Sequence, residues 1–252
     1  MKNYQTVESR GSRVGGQPTA ASRVSRPRRS SLVFRQAFTL LELLTVIGII
    51  VVIAALLLPV GSMVKQHAII HATQAQMAQL QTALDRYKSA YGFYPPCNTN
   101  NPLINPLYFE LLGTTNINGT YQTLDGNTTI PAASVSAAFD GSIGGFINCS
   151  KTNVDESSPP ARDFLPDLRP NQIAGNITNN NMPVTLLVAS AGGPDPTYQP
   201  LGLLDANPWR YNSANPTNNP GSYDLWIQLK IAGKTNLICN WSKQVQINNP
   251  LP

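Results

Sequence analysis

Arg35-Gln36-Ala37-Phe38-Thr39-Leu40-Leu41-Glu42-Leu43-Leu44-Thr45-Val46-Ile47-Gly48-Ile49-Ile50-Val51-Val52-Ile53-Ala54-Ala55-Leu56-Leu57-Leu58-Pro59-Val60-Gly61-Ser62-Met63-Val64 is the stretch on which the reading of this chain turns. From Leu43 to Val64 it holds no charged side chain, and these 22 residues at about 1.5 Å each cover roughly 33 Å, the hydrocarbon thickness of a bilayer. The run therefore reads as a membrane-spanning helix. One carboxylate, Glu42, stands at its start. A charge among lipid tails costs on the order of 2.5 to 3.5 kcal/mol, so Glu42 needs a partner and marks a functional position.

Outward from this stretch the charge is uneven. The chain of 252 residues carries +5 overall, yet residues 1–37 alone carry +7 and the remainder −2. Basic character thus belongs to the leader. A Lys/Arg-rich flank on one side of an apolar span is a positive-inside signal, which puts residues 1–37 in the cytoplasm and the chain beyond about Lys65 outside. No basic or aromatic surface continues into the domain, so nucleic acid is not an expected partner. A secretory signal peptide would have a shorter apolar run ending in a small-residue cut site, and this run instead flows into an amphipathic helix.

Ala37-Phe38-Thr39-Leu40-Leu41-Glu42, followed by an apolar helix with Pro59, resembles the prepilin-type signal of type IV pilins and type II secretion pseudopilins. The resemblance implies cleavage by a prepilin peptidase between Ala37 and Phe38 and methylation of the new Phe38 amine. It also implies assembly of filaments in which Glu42 meets the Phe38 amine of a neighbouring copy. The family usually has Gly before the cut, where this chain has Ala37. Pro59 is either a helix kink or the start of a stretch that melts when subunits pack.

Farther along, Tyr87-Lys88-Ser89-Ala90-Tyr91-Gly92-Phe93-Tyr94-Pro95 resembles the close of the long helix in major pseudopilins. Asp205–Tyr211, Tyr223-Asp224-Leu225 and Ile238-Cys239-Asn240-Trp241 resemble three segments near the end of those proteins, in the same order. Major pseudopilins commonly hold calcium in the loop before the final Trp. Here that loop, Lys230–Asn236, has two lysines and no carboxylate, so a hard cation lacks its oxygen ligands and no metal or other cofactor is expected.

The periodicity fills in the rest. Ile70, Thr73, Met77, Leu80, Leu84, Tyr87 and Tyr91 step by three and four, a stripe meant for a core. Gly92 stops the helix and Pro95-Pro96 prevents its resumption. Residues 97–182 are dense in Asn, Thr, Gly, Pro and Ser, with apolar pieces at Leu107–Leu112 and Phe164–Leu168, and read as loops with one or two short helices or strands. Val184–Ala189 reads as a buried strand, 205–211 and 222–229 as a hairpin, and Leu237–Trp241 as an edge strand. The expected class is α+β and, through the resemblance, pilin-like. A long amino-terminal α-helix, membrane-spanning over 38–64 and amphipathic over 65–94, packs on a small carboxy-terminal antiparallel β-sheet over 183–252, with a variable region over 95–182.

No catalytic constellation emerges. Both histidines, His67 and His71, fall on the long helix and read as solvated rather than ligating. The acidic pairs Asp155/Glu156 and Asp163/Asp167 sit in loop-like surroundings, and Gly192-Gly193-Pro194 lacks the Lys-Ser/Thr of a phosphate loop. Cys97, Cys149 and Cys239 allow one disulfide and one free thiol, without naming the pair. The expectation is a non-enzymatic, single-pass inner-membrane pseudopilin with a cytoplasmic leader and a periplasmic domain. Its partners are prepilin peptidase, other copies of itself and other pseudopilins, the inner-membrane assembly platform and the lipid bilayer. A pilin or minor pilin of a surface filament, and a membrane-anchored ligand-binding domain carrying a prepilin-type signal, are the alternatives.

Overall fold

A computed structural model describes residues 38–151, 160–189, 198–203, 206–231 and 233–248, with the side chains of 56–63 and of Asn176 excepted. Two units are distinguished, Met1–Val52 and Ile53–Pro252.

In the first unit the described chain is the start of helix α1 (Leu40–Tyr91). Thr39 stands just before it and Glu42 three residues later, the Ser/Thr-x-x-Glu pattern that satisfies the free amides of a helix start. In the second unit α1 turns the 70–91 stripe inward: Thr73, Leu80, Ala83, Leu84 and Tyr87 are buried, and Ile70, Met77 and Tyr91 pack against them. The helix ends where Gly92 takes φ +86°, its amide closing on the Lys88 carbonyl at 2.7 Å.

Among the described residues, ten strands in three sheets follow, with two more α-helices and a 3-10 turn at Pro170–Gln172. Helix α2 (Leu107–Leu112) is buried along its whole length. Strands β1 (Thr114–Ile117), β2 (Thr120–Thr123), β3 (Thr129–Pro131) and β4 (Cys149–Lys151) form a sheet in the order β3-β2-β1-β4, in which β4 lies parallel to β1. Helix α3 (Ala132–Ala138) comes between β3 and β4. Strands β5 (Ile173–Asn179) and β6 (Met182–Leu187) pair alone. The last sheet orders β10 (Gln246–Ile247), β9 (Lys234–Cys239), β8 (Asp224–Ile231) and β7 (Arg210–Asn212), all antiparallel.

Two-residue turns set the registers. Asn118-Gly119 joins β1 to β2 and Asn180-Asn181 joins β5 to β6, all four with positive φ, the mirror-image turn whose twist matches that of paired strands. The core gathers Tyr87 and Leu84 of α1, Tyr108, Phe109 and Leu111 of α2, Phe139 and Phe146, and Tyr211, Leu225, Ile227 and Leu229 of the last sheet.

This architecture corrects the expected fold class in two ways. Sheet structure is not confined to one small carboxy-terminal antiparallel sheet: among the described residues there are three sheets, and the first, which includes a parallel pair, is built from the stretch read as loops with one or two short helices or strands. Among the described residues, moreover, no helix is long and apolar enough to cross a membrane. The membrane-spanning half over 38–64 and the single-pass inner-membrane placement are overturned by the same finding. Leu237–Trp241 is corrected from an edge strand to an inner one, because β10 adds outside β9.

Candidate functional site

The sequence places its candidate site where α1 begins, and there the backbone chemistry is explicit. Thr39 donates from its amide and from its hydroxyl to Glu42 Oε2, each at 2.9 Å, and Glu42 returns its own amide to Thr39 Oγ1 at 3.2 Å. The two residues cap the helix reciprocally. One turn on, the Thr45 hydroxyl donates to the carbonyls of Leu41 and Glu42. The Thr39 amide and then its hydroxyl hold the Glu42 carboxyl below its ordinary range, so the group stays ionised although its neighbours are apolar.

Around this carboxylate the surface is greasy. Phe38 is 80% exposed and Leu40 81%, and between Phe38 and Val52 eleven large apolar side chains face outward. Contiguous exposure on this scale is uncommon and marks a contact surface. Full burial of each such side chain is worth about 1.5 to 3 kcal/mol. Glu42 is the one charged residue in that span. It can serve as an anchor for a cation arriving with an apolar partner.

The other sequence-derived positions fall as follows. Ala37, the residue before the expected cut, lies outside the described residues, as do the leader 1–37, Asp155, Glu156 and Gly192–Pro194. Pro59 falls inside α1, whose helical backbone continues through it. The Lys230–Asn236 loop is a tight β8–β9 turn, Ile231 facing Lys234, with Gly233 at φ +75°. The nearest carboxylate in sequence, Asp224, is already committed: it accepts the amides of Thr217, Asn218 and Asn219 at 2.9 Å each and the Asn218 side chain at 3.1 Å. Among the described residues no group of three or more His, Cys, Asp or Glu could hold a metal ion. All three cysteines are free thiols.

Sequence reasoning missed Glu110. Its carboxylate, with no exposure, accepts the Tyr87 hydroxyl at 2.9 Å and the amides of Ile147 and Asn148 at 2.9 and 3.0 Å. Asn148 extends the network, donating to the Glu110 and Arg162 carbonyls and accepting from the Tyr91 hydroxyl and the Arg162 amide. This cluster ties α1 to α2 and to the approach to β4. Desolvation pushes the Glu110 carboxyl up, against the pull of its three donors. A glutamate within Leu107–Leu112 follows no periodic pattern, and the one available signal was its polarity inside an otherwise apolar run. Comparison with known proteins adds no relative: no family model, no curated protein and no solved structure matches this chain.

Proposed function

We propose that this chain is a structural subunit of a pseudopilin-type filament serving protein export, with residues 38–52 as its assembly surface. A prepilin peptidase cuts between Ala37 and Phe38, and the freed Phe38 amine of one copy meets Glu42 of the next. The observation that carries the reading is the pairing of an ionised, capped carboxylate with the exposed apolar side chains that surround it. A second copy suits both properties. Its own Phe38–Val52 surface covers apolar area of the same kind, and its new amine supplies the cation. Once water is displaced, the ion pair gains strength from the low dielectric around it. The resemblance of the Ala37–Glu42 segment to prepilin signals points the same way.

The test joins mass analysis to filament yield. The mature protein should begin at methylated Phe38. Glu42→Ala should still be cut there, yet enter filaments at a small fraction of the normal yield. An uncut chain, or normal filaments from Glu42→Ala, would overturn the proposal.

A further inference from the structure

The two histidines of this chain stand four residues apart on α1, and both are exposed. Residues at that spacing lie one above the other on a helix, one turn apart. The rings of His67 and His71 lie 6.3 Å centroid to centroid with planes inclined by 24°. Among the described residues neither ring exchanges a hydrogen bond with a protein group, and positions three and four away on either side carry no Asp or Glu. The two imidazoles are therefore stacked one turn apart on one exposed helical face.

We propose that His67 and His71 chelate a divalent transition cation of the nickel, copper and zinc class. A metal–nitrogen bond of about 2.0 to 2.1 Å brings two ligating ring centroids to roughly 5 Å. The observed separation closes by about 1 Å through side-chain torsions alone, which the exposure of both residues leaves free. Imidazole selects this class of ion, and the lack of neighbouring carboxylates disfavours magnesium and calcium. Two protein donors fill part of the coordination shell, with water completing it. Bound metal would clamp one turn of α1. The inference stands apart from filament assembly, because one copy suffices.

The full chain is titrated with nickel ion alone, by calorimetry and by the ring-proton NMR signals of the two histidines. The expected result is one nickel per chain, both sets of ring signals shifting together, and an affinity loss of at least about tenfold in either H67A or H71A. The double variant H71A/A72H keeps two histidines but moves one about 100° around the helix, and it should lose the site as fully as H71A does. Circular dichroism on each variant establishes that the fold is intact. Absence of heat and of ring shifts, unchanged affinity in the single variants, or retained binding in H71A/A72H would each overturn the proposal.

Discussion

Glu110 has three donors and, among the described residues, no cation beside it. Cutting it back to Ala would leave the Tyr87 hydroxyl and the amides of Ile147 and Asn148 buried without an acceptor, a loss of about 3 to 5 kcal/mol in denaturant unfolding. Its titration has a definite sign. Because burial raises the folded-state value above the ordinary 4.5, the folded chain holds this proton more tightly than the unfolded one. The stability it contributes is complete below 4.5 and is lost as pH rises through the folded value. Glu110→Gln keeps the shape and removes the titration. The stability of the native chain relative to Glu110→Gln should therefore fall as pH is raised from about 4, as read from urea midpoints. The same burial raises the Tyr87 hydroxyl, which keeps its proton and remains a donor.

Among the elements, α2 is tightly confined at its carboxy-terminal end. Gly113 follows it at φ +76°, and a Cβ there would meet the Arg162 carbonyl oxygen at 2.8 Å. Gly113→Ala should therefore cost more than the usual 1 kcal/mol or so of a positive-φ alanine, with about 2 to 4 kcal/mol expected from thermal or urea unfolding. Some of this level could be read in advance. The Leu107–Leu112 run is α2, Gly92 is the stop of α1, and the 222–229 alternation is the heart of β8, because each signal is local. Asn118-Gly119 is an equally local hairpin signal, but it sits among so many Asn, Thr and Gly residues that the composition masked it. The parallel β1–β4 pair left no local trace, since β2, β3 and α3 all lie in sequence between Thr114 and its partner Cys149. The reciprocal capping by Thr39 and Glu42 was equally readable, since Thr-x-x-Glu ahead of an apolar run is a local signal.

Across the whole molecule, cohesion is non-covalent. Cys97 and Cys239 are buried, Cys149 is partly exposed, and no bridge joins them, which answers the pairing the sequence left open. A thiol reagent should count three reactive groups per unfolded chain and, in the native protein, modify Cys149 well before the other two. Stability then rests on buried polar knots such as Glu110–Asn148 and on the aromatic core, where Tyr87, Phe109, Phe139, Phe146 and Tyr211 meet. One of those knots has a wider effect. Asp224 fills the ring of amides at 217–219 with a charge belonging to the chain itself. Adding EDTA, or millimolar calcium, should leave the melting temperature where it was. The curl at 217–219 is thus wired in permanently, and the surface it shapes stays constant through swings in mineral supply that would remould a turn dependent on a borrowed ion.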